Sequence, residues 1–230
     1  WLDASYPDKA AALRRTLDLS TTRLDHWRDV IAHMTIYHDP DTGLMEQFEG
    51  FFDLEPVAPG KIAQADKSMQ VILGIEGASR SQVLKQADVL MLLVLLRGEY
   101  DEKTWQANWD VYMPITDHRY GSSLGPSFHA WAACEMGRPD EAYDHFMLAA
   151  QADLRDIRGN AGDGIHAASA GGLWQAVVFG FAGLRLTDEG PVLKPCFPSH
   201  WRRVAFTYWY RGERRQVDIR KEEGGVYRGA

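Results

Sequence analysis

The sequence predicts a mainly helical fold, a barrel or toroid of antiparallel helical hairpins with a small β domain behind it. Two observations carry this. Up to Gly183 apolar residues recur at spacings of three and four, and the connections are short enough to pair neighbouring helices. Beyond it the pattern changes to short alternating strands separated by turns. The chain accordingly divides into a helical section, 1–183, and a β domain, 184–230.

The elements follow in order. "DKAAALRRTLDLSTTRLDHWRDVIAHM" spaces Leu24, Trp27, Val30, Ile31 and Met34 as a helical face does, and gives two amphipathic helices. "IYHDPDTGLMEQFEGFFDLEPVAPG" is a long loop, because its Asp-Pro, Thr-Gly and Pro-Gly pairs deny it a continuous helix. Tyr37, Phe48, Phe51 and Phe52 argue that this loop is ordered, and it is read as part of a site wall. Ser81 is placed to cap "SQVLKQADVLMLLVLLRG", whose apolar run from Val89 to Leu96 covers every face, the mark of a fully buried helix closed by Gly98. "DEKTWQANWDVYM" supplies the next helix. "HRYGSSLGPSFHAWAACEMG" then sets Ser122 and Ser123 in a Gly-flanked stretch before an apolar helix that ends at Gly137. "RPDEAYDHFMLAAQADLRD" restarts with proline near its first turn. A Gly-rich loop, "RGNAGDGIHAASAGG", leads into "LWQAVVFGFAGL". "PVLKPCF", "RRVAFTYWY" and "RQVDIR" are the strands, with Arg211-Gly212-Glu213 as a turn.

Composition removes several classes of function. An apolar fraction of 45% in 230 residues indicates an ordered globular protein. A formal charge of -7 without a long basic run argues against nucleic acid or an anionic membrane as partner. Cys134 and Cys196 are too few and too far apart for a disulfide framework or a closed zinc site. That fits a reducing compartment, and the cytoplasm is expected. The opening residues do not read as a signal peptide, and "VLMLLVLL" is too short to span a bilayer. No metal is expected, since the histidines show no ligand spacing.

Chemistry concentrates in three stretches. Lys85 and Gln86, at the polar start of an apolar helix, offer an ammonium and an amide suited to sugar hydroxyls, with Asp88 placed to orient Lys85. An exposed surface lysine is the ordinary alternative. Ser122 and Ser123 sit where hydroxyls, bare backbone and a helix N-terminus meet, a combination that suits an anion; a simple N-cap is the ordinary alternative. His166 lies between glycines, and Gly171-Gly172 stand at a helix start, where glycine costs about 1 kcal/mol against alanine. Close helix packing and a neutral core histidine are the ordinary explanations. Glu46, Gln47 and Glu49 are weaker candidates for sugar subsites, in what reads as an exposed acidic loop.

Taken as a set, "LKQADVLMLL", "YGSSLGPSFHAWAACEMG" and "GIHAASAGGLWQAVVFGFAGL", followed by "PVLKPCFPSHWRRVAFTYWYRG", resemble the C-terminal part of glycoside hydrolase family 65. The family contains the inverting maltose, trehalose, kojibiose and glucosylglycerol phosphorylases. The resemblance implies the C-terminal part of an (α/α)6 barrel followed by a small β-sandwich-like domain. It implies phosphorolysis of an α-glucoside to β-glucose 1-phosphate, with inorganic phosphate as co-substrate, no further cofactor, and a homodimer for the full-length form. Lys85 and Gln86 resemble the family's glucose-binding pair, and Ser122, Ser123 and His166 its phosphate-binding set. An inverting phosphorylase needs one general acid, and an anion site takes the place of a hydrolase's second carboxylate. The family's serine loop carries Ser-Ser-Leu-Ser, and Gly125 replaces the last serine here.

The family's catalytic acid is a glutamate upstream of the position corresponding to Trp1, and nothing in the chain matches it. The resemblance therefore implies a portion of a longer enzyme, inactive by itself, whose remainder is a partner. Two other readings stay open. An inverting hydrolase of the same family needs a carboxylate near the serine loop, where Asp117 is the candidate base. A non-catalytic helical carbohydrate-binding or assembly module needs no acid at all.

Overall fold

The computed structural model describes residues 1–62 and 67–229. They fall into two compact units, residues 1–36 and the chain from Tyr37 onward. The first unit holds α1 (Leu2–Ser5), α2 (Pro7–Thr16) and α3 (Thr21–His33). Pro7 opens α2, and Ser20 caps α3 by accepting from Arg23 N at 3.2 Å. Both long helices match the predicted amphipathic pair. The stripe of Trp27, Val30, Ile31 and Met34 on and just beyond α3 lies exposed.

The second unit begins with the long loop, irregular as predicted apart from short 3-10 turns at Phe51–Asp53 and Pro59–Lys61. Its anchor is α6 (Glu102–Ile115). Asn108 accepts from Met45 N and donates to Gly43 O, both at 2.9 Å, while the Tyr112 hydroxyl donates to Met45 O. Phe51 is buried against Tyr112. Backbone polar groups in a loop need partners when buried, and the two α6 side chains supply them.

Between loop and α6 come α4 (Met69–Ser79) and α5 (Asp88–Leu95). The predicted helix from Ser81 to Leu96 is corrected here: α5 starts only at Asp88. The reason is backbone pairing. Leu84 N donates to Ile115 O at 2.9 Å and Leu84 O accepts from Asp117 N at 2.8 Å, a parallel bridge that holds residues before α5 extended. Ser81 caps nothing in α5 and instead donates to Ala78 O. Nor is the run buried all round, since Leu95 and Leu96 are exposed.

The fully buried helix is α7 (Gly125–Glu135), in which every residue from Gly125 to Cys134 is buried. Its glycine, serine and alanines let α5, α8 (Pro139–Leu154) and α9 (Ala167–Gln175) pack closely around it. Gly172 of α9 shows how closely: a Cβ there would stand 2.1 Å from Ser127 Oγ, whereas Gly171 has open space. Helix packing thus explains one glycine of the pair. α9 continues through a π-helical stretch, Ala176–Phe181, and Gly183 at φ 64° ends the helical section with Lys194 O against its α-carbon.

The strands form two antiparallel sheets. β1 (Leu184–Thr187) pairs with β2 (Gly190–Leu193), and β3 (Arg203–Tyr210) pairs with β4 (Glu213–Lys221), which also pairs with β5 (Tyr227–Arg228). β1 was not among the predicted strands, and Lys194–Phe197 of the predicted "PVLKPCF" strand lies outside β2. The β3–β4 turn uses Arg211 and Gly212, both at positive φ, the two-residue hairpin geometry that matches strand twist. Arg97 ties sheet to helices by pairing with Glu135 at 2.9 Å and donating to Phe179 O and Leu184 O. Arg185 pairs with the same Glu135. Ala230, the end of the predicted β domain, lies outside the described residues.

Candidate functional site

Three loops and the start of α4 surround a cavity of about 850 Å³. Lys85, Ser122, Ser123 and His166 all line it. The bridge at Leu84 brings the Lys-Gln pair beside the serine loop, and Ser122 N donates to Lys85 O at 3.0 Å. That approach requires Gly121, because a Cβ there would lie 2.2 Å from Asp117 O and 2.8 Å from Lys85 O.

Gln86 is half-buried and does not line the cavity, but it is tied to it. The Ser122 hydroxyl donates to Gln86 Oε1 at 2.9 Å, Gln86 Nε2 donates to Asp88 Oδ1 at 2.9 Å, and Gln47 Nε2 donates to Asp88 Oδ2 at 3.3 Å. Asp88 therefore orients Gln86, where the sequence suggested Lys85. Lys85 itself is exposed to the cavity, which opens to solvent.

Neither serine is the N-cap of α7. That position is Leu124, without a side-chain cap bond, because the Ser122 hydroxyl is directed to Gln86. Ser123 O accepts from Ser169 Oγ at 2.9 Å, which fixes the loop to α9.

His166 precedes α9 and is held by Asp153 of α8. The peptide N–H donates to Asp153 Oδ2 at 2.8 Å, and Nδ1 lies 2.5 Å from Oδ1. These bonds, the peptide first, hold the Asp153 carboxyl below the usual carboxylate range. With Nδ1 turned to a carboxylate, the other ring nitrogen faces Asn160, whose Nδ2 is 3.5 Å away. His166 is thus no core histidine. Asp153 escapes sequence reading because a lone aspartate near the end of a helix looks like any solvated one.

Asp117 lines the cavity, yet both its oxygens accept backbone bonds, from Met69 N at 3.0 Å and Tyr120 N at 2.9 Å. It is a clamp between α4 and the serine loop. The long loop is not a wall of this cavity, contrary to the sequence reading. Glu46 accepts from Phe52 N at 3.2 Å, and Glu49 bonds the Tyr37 hydroxyl, raising the Tyr37 pKa. Both glutamates organise their own loop.

A second cluster was not foreseen. His118, His129 and His145 pack together, with ring centroids 4.7, 4.9 and 5.5 Å apart. Burial lowers the pKa of all three, that of His145 to about 3. Among the described residues no group of three histidine, cysteine or acidic side chains is arranged to hold a metal ion. Nor is any helix there long and apolar enough to cross a membrane.

Fold and cavity together define a helical domain with a polar site at its loops and an appended antiparallel β domain. The chain belongs to glycosyl hydrolase family 65: residues 4–175 match the family's central catalytic domain and residues 184–226 its C-terminal domain. It is 35% identical over 230 residues to kojibiose phosphorylase of Caldanaerobacter subterraneus subsp. tengcongensis, covering 98% of this chain and 29% of that protein. It is 32% identical over 216 residues to alpha,alpha-trehalose phosphorylase of Thermoanaerobacter brockii, covering 94% and 28%. A solved structure from the human microbiome, provisionally named a kojibiose phosphorylase, superposes with a TM-score of 0.81 at 30% identity, covering 91% of this chain and 29% of that one. The chain thus spans less than a third of the length of these relatives.

Proposed function

We propose that this chain is the C-terminal portion of an inverting disaccharide phosphorylase that cleaves an α-glucoside with inorganic phosphate to give β-glucose 1-phosphate. In that protein residues 1–183 form part of an (α/α)6 catalytic barrel and 184–230 its C-terminal β domain. The observation that carries the reading is the cavity itself. Serine, lysine and histidine side chains line it, while the carboxylate beside the serine loop, Asp117, is committed through both oxygens to peptide N–H groups.

In this reading, which follows the family resemblance, Lys85 and Gln86 serve the glucose and Ser122, Ser123 and His166 the phosphate. A phosphate oxygen attacks the anomeric carbon from the face opposite the leaving oxygen. The C–O bond to the acceptor sugar breaks, and a general acid protonates that oxygen. The acid belongs to the part of the enzyme preceding this chain. Residues here bind and orient: the Ser123 hydroxyl donates to the anion, Ser122 joins it when its O–H turns from Gln86 to a phosphate oxygen, and Asp153 fixes the imidazole of His166. The relatives are named for different disaccharides, so the acceptor sugar is left open.

An inverting hydrolase would need a carboxylate holding water on the phosphate side, and the commitment of Asp117 weighs against it. The test is glucose 1-phosphate formation by the full-length enzyme with and without phosphate. Equal glucoside cleavage in both would favour the hydrolase. His166→Ala should raise the phosphate KM more than the glucoside KM.

A further inference from the structure

We infer that Arg158 is a phosphate-binding residue of this cavity, supplying the bidentate cation that the serine loop lacks. The inference rests on the phosphorylase reading and adds a residue that none of the three motifs contains.

Arg158 reaches the cavity through an unusual turn. After α8 the chain passes through Asp156 at φ 45° and Gly159 at φ 69°, with Gly159 N donating to Asp156 O at 2.9 Å. Residues 156–160 of this turn line the cavity, so that Arg158 shares it with Ser122, Ser123 and His166. The side chain is half-buried, and its Nε is buried without a hydrogen-bond partner. Among the described residues its guanidinium makes no ion pair.

Two carboxylates act on it through space, Asp117 and Asp153. Each is already engaged, Asp117 by two peptide N–H groups and Asp153 by the peptide and ring of His166. They ease the burial of the cation without occupying it. Burial nonetheless dominates and lowers its pKa. A guanidinium held half out of water beside hydroxyls, with its donors uncommitted, is a site waiting for an oxyanion.

Arginine differs here from the lysines of the same cavity. Lys67 and Lys85 are exposed, flexible point charges. The planar fork of Arg158 presents paired N–H donors that match two oxygens of one phosphate. The Ser123 hydroxyl and the His166 ring line the same cavity and are available to the same anion.

The test is a phosphate titration of the 230-residue chain by calorimetry, with thermal upshift by phosphate as a second readout. Wild type should bind phosphate, and Arg158→Gln should weaken it at least tenfold while the thermal midpoint without phosphate stays close to wild type. Arg158→Lys should weaken it several-fold, because a point charge replaces the fork. Should Arg158→Gln fail to fold, the lysine variant decides, a several-fold loss supporting the role and an unchanged affinity overturning it. Unchanged affinity in the folded variants, with Ser123→Ala weakened, would overturn the role of Arg158 and leave the phosphate site standing. Phosphate binding by neither wild type nor any variant would overturn both.

Discussion

The Ser122 hydroxyl donates to Gln86 Oε1 at 2.9 Å, and the same amide donates from its other side to Asp88 Oδ1 at 2.9 Å. The serine loop and the Lys-Gln pair are thus one hydrogen-bonded unit. The amide has its orientation fixed at both ends, and the backbone bond from Ser122 N to Lys85 O fastens the two stretches a second time. Under the proposed assignment, a change at the serines must therefore be felt at the Lys-Gln pair.

Ser122→Ala and Gln86→Ala should be non-additive in the full-length enzyme. Residues in one hydrogen-bond network couple by about 0.5–3 kcal/mol, whereas independent sites add within about 0.3–0.5 kcal/mol. The measurement is a double-mutant cycle on kcat/KM for glucoside and for phosphate. Strict additivity for both substrates would show that the bond carries no functional coupling.

Gly121→Ala should destabilise the chain by about 1–3 kcal/mol, the usual cost of forcing atoms into a packed space. The new Cβ falls 2.2 Å from Asp117 O and cannot be accommodated by a side-chain rotation, because both close contacts are backbone. Gly171→Ala is the control. Nothing lies within 4 Å of that Cβ, and the position is inside α9, so the variant should gain up to about 1 kcal/mol. Urea unfolding midpoints read both, and a neutral Gly121→Ala would mean the loop relaxes freely.

What the sequence disclosed follows from which signals are local. Helical periodicity located α2, α3, α6 and α8, and the Arg211-Gly212 turn located the β3–β4 hairpin, because propensity and turn chemistry act over a few residues. The start of α5 was misplaced because the bond from Leu84 N to Ile115 O joins residues far apart in sequence. The buried helix was misassigned for a related reason. Burial of α7 comes from small residues surrounded by α5, α8 and α9, whereas the leucine-rich run of α5 ends with Leu95, and Leu96 just beyond it, in solvent. In the site, Lys85, Ser122, Ser123 and His166 were legible as motifs. Asp153 and Arg158 were not, since only the fold sets Asp153 against His166 and brings Arg158 to the cavity lining. His118, His129 and His145 are likewise brought together by packing alone.

Those three histidines predict acid sensitivity above the range of the carboxylates. Burial keeps each imidazole neutral in the folded chain, with repulsion from its neighbours adding to the effect at His129 and His145; the carbonyl of Met113 and the charge of Asp117 oppose it at His118. In the unfolded chain they take up protons near pH 6.5. As pH falls below that value the unfolded state binds more protons, so stability is lost progressively toward the folded pKa, about 3 for His145. Each histidine contributes up to about 1.4 kcal/mol per pH unit in this window. Unfolding free energies between pH 7.5 and 5 should show the slope, and His145→Leu should reduce it by up to about a third. An unaltered slope in that variant would mean His145 titrates normally in the fold.

The 230-residue chain alone should produce no glucose 1-phosphate from α-glucosides and phosphate. Protonation of the leaving oxygen typically contributes about 10²- to 10⁴-fold, and it requires a carboxyl group directed at the sugar. Asp117 is held by Met69 N and Tyr120 N, and Asp156 Oδ1 accepts from Ala161 N at 2.8 Å. Glu46 and Glu49 are bonded within a loop that does not line the cavity. Val71, Ile75, Leu154 and Ile165 are largely exposed, and apolar side chains left in water favour self-association, so the assay needs a sample verified as monodisperse. The measurement is glucose 1-phosphate release across a panel of α-glucosides. Clear turnover would mean that a carboxyl group of this chain serves as the acid, and loss of that turnover in Asp117→Asn would show that Asp117 leaves its backbone partners to do so.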